Sequence, residues 1–330
     1  MENPFLLDIP DKDEYTIEDY MNIQEQLDNK NIDGLLNEYF PPKCPFYELI
    51  DFKYRCAKSL KQKLIDVSNS KLPTKNLYKI GDGGNGKNCI VCCTPFSHDL
   101  HDITDNANDT NLSESRYVAA QQIIKSLNEV GFNGHFYLFN GGFPNPTGTE
   151  MKYAGVPYCF KIFMMLEAKK LGFENVIWID SGCYCINNPQ RLFDILDVQE
   201  TVIKYMPHGH NYDAMCFTQT MDLLNSITGA DLHEAAYIET IVFGLNLKEP
   251  IINKIIEDYY YMVKLGLPFM SIFPEEIVLA ALFNKEENKH LLKNNADFVK
   301  LQIHESRMDM STARQCGFFF LHIDYSKYKN

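Results

Sequence analysis

From about residue 89 the chain alternates short apolar runs with longer amphipathic stretches, the pattern of strands joined by helices. Cys89 to Thr94, Gly134 to Phe139 and Val176 to Ile179, ending in Asp180, are the first three runs. Between the first two, Ser113 or Asn111 can cap a helix bearing Val118, Ile123, Ile124, Leu127 and Val130, which Gly131 closes. Past a glycine- and proline-rich loop over 140–150, Pro157 opens a helix with Phe160, Phe163, Met164, Leu166 and Ala168, and Gly172 ends it. Strands separated by single helices predict right-handed crossovers and a mainly parallel sheet with helices on both faces. Further strands are expected over Thr201–Tyr205 and Ile241–Leu245, with helices from Asn188, over Pro250–Val263 and over Ile277–Phe283. Val299–His304 and Phe318–Ile323 read as closing strands.

Residues 1–80 have a different pattern and are expected to form a helical N-terminal extension to an α/β domain over 81–330. Thr16 can cap a helix carrying Ile17, Met21, Ile23 and Leu27, and Leu35, Leu36, Tyr39 and Phe40 continue in a second short piece that Pro41-Pro42 stops. Phe46 to Val67 predicts another amphipathic helix, with Leu49, Phe52, Cys56, Leu60 and Leu64 on one side. Such a layer either packs on the main domain or offers a surface for a homodimer or another partner. Gly81-Asp-Gly-Gly-Asn-Gly86-Lys87-Asn88 fits the G-x-x-x-x-G-K outline of a phosphate loop, with Asn where a magnesium-binding Ser or Thr belongs. A phosphate loop opens a helix, whereas a β-like run follows here, so a flexible glycine linker is the expectation and a P-loop-like nucleotide binder a lesser alternative.

Composition narrows the class. The 330 residues are 45% hydrophobic and 13% aromatic, enough for a large core. A formal net charge of −13, from 31 basic and 44 acidic residues, argues against a nucleic-acid partner. The ten Cys residues include Cys92-Cys93 and Cys183-x-Cys185 but no CxxC pair, and no secretory apolar segment is present. Reduced thiols in a cytoplasmic protein are expected, with the sequons at Asn108 and Asn111 as chance matches. No run approaches the roughly 18 apolar residues of a membrane span.

The chemistry centres on Asp180, where a buried-type strand delivers a carboxylate to the sheet edge at which α/β proteins bind ligands. Pro157-Tyr-Cys-Phe-Lys161 followed by Asn175-Val-Ile-Trp-Ile-Asp-Ser-Gly182, then Asn188-Pro-Gln-Arg-Leu-Phe193, Ile238-Glu-Thr-Ile-Val-Phe-Gly-Leu-Asn246, Glu275-Glu276-Ile-Val-Leu279 and a late His form an ordered set. It resembles the GT-A fold nucleotide-diphospho-sugar glycosyltransferases, in particular glycogenin-like and bacterial galactosyltransferase-like relatives. Gly182 stands where the family's Asp-x-Asp motif has its second Asp, Glu239 replaces the Asn of Asn-Ser/Thr-Gly, and a His-x-x-Gly-x-x-Lys-Pro-Trp box is absent.

The resemblance implies a Rossmann-like GT-A fold and transfer of a sugar from a nucleoside-diphosphate donor, UDP-sugar foremost, to a hydroxyl on a glycan, protein or small molecule. It also implies Mn²⁺ or Mg²⁺ held by Asp180 with His322 or His304, to neutralise the leaving diphosphate. Ser181 and Gly182 would line the donor site beside Asp180. Arg116, Lys152, Lys161 and Arg307 are the candidate phosphate cations, and Thr94, Pro95 and Phe96 would meet the nucleobase and ribose. Glu275, Glu276 and Glu239 are candidates for an acceptor-side carboxylate, a base if the reaction inverts, and His208 and His210 for the acceptor cleft. Gly182 and Glu239 also keep open a catalytically degenerate nucleotide-sugar-binding or interaction protein.

Overall fold

The computed structural model describes residues 2–40, 74–94, 112–140, 143–144, 150–206, 212, 215–293 and 300–323. Its main sheet takes strands β1 (Thr74–Ile80), β2 (Asn88–Thr94), β3 (Gly134–Asn140), β4 (Asn175–Ile179), β6 (Thr201–Met206) and β7 (Tyr237–Asn246), in the order β1-β3-β2-β4-β7-β6. β2 pairs in parallel with β3 and β4. β1 and β7 run against their neighbours, and β6, antiparallel to β7, runs with the central three. Four of the six strands thus share one direction, which is the mainly parallel sheet that the strand-helix alternation predicts. β4 is buried along its whole length, as its unbroken apolar run requires of a central strand. A second sheet holds three short strands, β5 (Cys183–Cys185), β9 (Phe320–His322) and β8 (Gln302–His304), in that order. The two expected closing strands therefore leave the main sheet, because the turn after Asp180 offers them β5 as a partner.

The N-terminal residues are part of the core. Helix α1 (Ile17–Asp28) starts at Thr16, whose hydroxyl accepts from the Asp19 N–H while the Asp19 side chain bonds back to the Thr16 N–H. Helix α2 (Ile32–Tyr39) follows. Phe5, Leu7, Ile9, Tyr20, Ile23, Ile32, Leu36 and Phe40 are buried in the same cluster as the helices of the main domain. The Leu7 N–H donates to Lys152 O at 2.9 Å, and Phe40 stacks on Phe217 with ring centroids 4.4 Å apart. At Gly155 a Cβ would lie 2.4 Å from the carbonyl oxygen of Phe5, so the close passage of the two backbones depends on glycine there. The helix expected over 46–67 lies outside the described residues.

β1 and the turn after it overturn two expectations. The boundary expected at residue 80 falls between two strands of one sheet, and the glycine-rich segment is an ordered turn that carries the chain past β3 into β2. Asn133 Oδ1 accepts the N–H groups of Asp82 and Gly84, each at 3.0 Å. Lys87 pairs with Glu174 at 3.2 Å. A strand, with no helix N-terminus, follows the turn, so it is neither a loose linker nor a phosphate loop.

Successive residues along the central strands face opposite sides, and each side carries helices. Ile90, Cys92, Phe136, Leu138, Ile177, Ile179, Val202 and Val242 share a cluster with α3 (Leu112–Glu129) and α5 (Gln190–Leu196). Cys89, Val91, Tyr137, Phe139, Val176, Trp178, Phe243 and Leu245 face α4 (Phe160–Lys170), α6 (Thr218–Thr228), α7 (Pro250–Leu265) and α8 (Pro274–Phe283). α4 begins three residues later than Pro157 predicts. Tyr158 holds a left-handed backbone with φ 53°, which bars a helical start before it. Two short helices, α9 (Lys289–Lys293) and α10 (Met310–Gln315), complete the described elements. No described helix is long and apolar enough to cross a membrane.

If residues 5–40 belong to one core with the sheet, Leu36→Ala will lower stability by about 2–4 kcal/mol within a single urea transition. An early separate transition that leaves the main one unmoved would show that the segment folds apart.

Candidate functional site

The carboxyl ends of β2, β3 and β4 lie along one edge of the sheet, and Asp180 follows the last residue of β4. β7 enters at this edge. Opposite it, the β6 register jumps, Ile203 facing Phe243 and Lys204 facing Glu239. The three residues between have no counterpart on β6, while β7 stays with β4: Val242 faces Ile179, and the Asp180 N–H donates to Ile241 O at 2.9 Å. Irregular pairing of this kind re-aims side chains at a sheet rim. Here it brings Glu239 and Thr240 to the Asp180 corner.

A buried ammonium ties that corner together. Lys161, in the first turn of α4 and 5% exposed, places Nζ 2.8 Å from Glu275 Oε1 and 3.1 Å from Asp180 Oδ1. It also donates to Thr240 O at 3.2 Å, with Thr240 Oγ1 at 3.5 Å. Thr240 Oγ1 in turn donates to Glu275 Oε1 at 2.8 Å. Asp180 Oδ1 accepts a second donor, Trp178 Nε1, at 2.7 Å, and Lys161 Nζ lies 5.6 Å from the Trp178 ring centroid. Burial by itself would pull the Lys161 pKa down, but the charges of Asp180 and Glu275 and their hydrogen bonds outweigh it and hold the group above the ordinary lysine value.

Glu276 is the unlike neighbour of Glu275. Both sit in the first turn of α8, but Lys161 touches Glu275 alone. Glu276 takes the Thr240 N–H at 3.3 Å on Oε2, is hydrogen-bonded by Tyr237, and leaves Oε1 buried with no partner among the described residues. Burial, and then the charge of Glu275, push its pKa up to about 8. Glu276 is thus held protonated at neutral pH.

A second polar group flanks the first. Glu239 pairs with Lys204 and accepts from Gln302 Nε2, joining β7 and β6 to β8 of the small sheet. The small sheet is seated on the turn after Asp180: the Ile323 N–H donates to Gly182 O at 2.8 Å and Cys183 faces His322. A Cβ on Gly182 would stand 3.0 Å from His322 Nε2 and 3.0 Å from Ile323 O. The imidazole thus crowds the space in which a side chain at 182 would start. Burial lowers the His322 pKa, keeping the ring neutral, and its Nδ1 has no partner among the described residues. His304 meets it edge to face, ring centroids 5.2 Å apart.

Several expected site residues lie in other settings. Lys152 pairs with Asp11 at 2.8 Å, away from the Asp180 network. Lys161, expected at a phosphate, is spent on carboxylates. Glu275 and Glu276 are 5% and 6% exposed, so they hold the site together from beneath it. Asp180 and Glu239, with side chains 27% and 18% exposed, are the carboxylates a ligand can reach. Ser181 is buried in the turn, and Arg307 is exposed beyond β8. Pro95, Phe96, His208, His210 and the side chains of Thr94 and Arg116 lie outside the described residues. Trp178, Thr240, Tyr237, Lys204 and Gln302 were not expected at the site. Trp178 had a signal: the single tryptophan stands two residues before Asp180, on the same face of the strand. Lys204 and Gln302 had none, since each meets Glu239 only through a long-range contact.

Asp180 and His304, expected as donors for Mn²⁺ or Mg²⁺, already hold partners of their own. Among the described residues no group of three or more His, Cys, Asp or Glu side chains is placed to hold a metal ion. One Asp180 oxygen is occupied by Lys161 and Trp178. His304 Nδ1 accepts the Ser306 N–H at 3.1 Å and lies 2.7 Å from Ser306 Oγ. A metal on His322 Nε2 would need an acceptor behind Nδ1 to orient the ring, and none is present among the described residues. The described residues do not fit a divalent ion held by protein side chains alone.

No family model matches this sequence, and no curated protein does. Among solved structures, the apo form of mouse xyloside xylosyltransferase 1 aligns with a TM-score of 0.32 and 9% identity, over 63% of this chain and 72% of that one.

Two outcomes follow from the carboxyl network. Lys161→Met strands two carboxylates and will lower stability by about 3–5 kcal/mol, read by urea unfolding. Glu276 gains a proton on folding, so its stabilising contribution is complete below its ordinary 4.5 and drains away as pH rises towards about 8. Glu276→Gln removes that slope, so the variant will gain on the natural protein by on the order of 1 kcal/mol per pH unit across this window. Parallel pH-stability curves would refute the protonated carboxyl.

Proposed function

We propose that the chain is a glycosyltransferase that takes a sugar from a nucleoside diphosphate, uridine foremost, and passes it to a hydroxyl group. The observation that carries it is the anchored yet reachable carboxylate of Asp180 at the carboxyl edge of β2, β3 and β4, beside Glu239. Ligands of open α/β sheets bind at this edge. A carboxylate with one oxygen fixed by Lys161 and Trp178 can turn the other, which has no hydrogen-bond partner shown among the described residues, to sugar hydroxyls in a preset direction. The motif order along the sequence supports the same activity.

The chemistry asks two things of the protein. Negative charge gathering on the departing diphosphate must meet a cation, and Arg307, exposed on the turn after β8, has the guanidinium for a bidentate phosphate contact. The acceptor hydroxyl must be held for attack and must lose its proton. Asp180 and Glu239 are the carboxylates within reach of solvent, and either can take it. Glu275, Glu276 and Thr240 keep Asp180 and Lys161 in register and touch no substrate.

Purified protein will bind at least one member of a UDP- and GDP-sugar panel in calorimetry, and Asp180→Asn will stay folded while turnover falls about 10²-fold or more. Binding without turnover would assign a nucleotide-sugar-binding protein instead. Silence across the whole panel would sink the donor class.

A further inference from the structure

The position of Lys161 carries an inference about how the site is charged. Its Nζ meets Asp180, Glu275 and both oxygens of Thr240 within 3.5 Å. An ammonium has three hydrogens to give, so these acceptors use all of them. The group is 5% exposed and is held on a well-packed helix between the two carboxylates. A divalent ion at Asp180 would compete for the same carboxylate and would be repelled by the ammonium beside it through a low-dielectric medium. A second carboxylate at 182 would crowd this corner, because a Cβ there would stand 3.0 Å from both His322 Nε2 and Ile323 O and each would have to give way.

We propose that Lys161 is the resident cation of this site and that the chain holds no divalent metal at Asp180. The cation is then supplied by the fold, present before any ligand arrives, and unaffected by metal availability. The inference departs from the metal dependence implied by the sequence resemblance. It rests on the proposed nucleotide-sugar activity only where a nucleotide is used to test it.

The test is a Mn²⁺ titration of the full chain followed by electron paramagnetic resonance, which reads the free ion without reference to activity. The natural protein will leave the free Mn²⁺ signal unchanged up to about 1 mM. The double variant Lys161→Met/Glu275→Gln removes the ammonium and one carboxylate together, so the charge balance is kept. It will bind Mn²⁺ at least about tenfold more tightly than the natural protein, and adding Asp180→Asn will abolish the gain. Metal binding by the natural protein that Asp180→Asn removes would overturn the proposal, and this arm holds even if the double variant fails to fold. In a second arm, UDP affinity measured with EDTA and with Mn²⁺ will agree; a requirement for Mn²⁺ would overturn the resident cation. Absence of UDP binding under both conditions would count against the uridine donor alone, and the titration would still decide the metal.

Discussion

The ion pair of Lys161 with Asp180 and Glu275 is the constraint on which the functional edge of this molecule depends. Its three charges come from α4, the end of β4 and the start of α8, and Thr240 of β7 fills the space between them. Charges so deeply buried persist only when each has partners; breaking one side of such a group is more damaging than never having built it. The network therefore fixes how four elements meet, and with them the direction of the Asp180 carboxylate. It also explains why a lysine is tolerated in a helix with eight buried residues, an arrangement that only a completely packed element shows.

Around that pair the backbone is shaped to deliver side chains and to exclude them. The uneven pairing of β6 with β7 sends Glu239 and Thr240 to the corner. The tight turn after Asp180 favours a residue without a side chain at 182, since the small sheet lays His322 against it. Glu239, Lys204 and Gln302 then stitch the small sheet to the large one. The two polar groups sit side by side, and each presents one partly exposed carboxylate, Asp180 in the first and Glu239 in the second, on buried partners. That division suits a site in which some charges set geometry and others meet a ligand.

The same physics, with burial foremost, accounts for the raised pKa of Glu276. Adjacent carboxyls in one helical turn repel when both are ionised, and a single ammonium can compensate one of them. Lys161 reaches Glu275, so Glu276 keeps its proton and relies on Tyr237 and Thr240 for hydrogen bonds.

Much of the fold was legible in the order of residues. The apolar runs at β2, β3, β4 and β6, the helices between them and the strand-end position of Asp180 follow from local periodicity, which depends only on which neighbours are apolar. The capping box at Thr16 and the glycines that close helices are equally local. β1 escaped, because an edge strand with alternating lysines lacks the apolar run of a buried one. The N-terminal helices were legible as helices, but their membership of the main core was not, since it depends on Phe5 passing Gly155, Leu7 bonding Lys152 and Phe40 stacking on Phe217, each more than a hundred positions away. At the site, the sequence nominated Asp180, Lys161, Glu239, Glu275 and Glu276 as charged residues near the ends of elements. Only the tertiary structure decided which of them face one another. That decision turned Lys161 from a phosphate ligand into the counterion of Asp180, buried Glu275 and Glu276 beneath the site, and set His322 against Gly182, because pairing of charges at low dielectric is a property of distance in space and leaves no periodic mark along the chain.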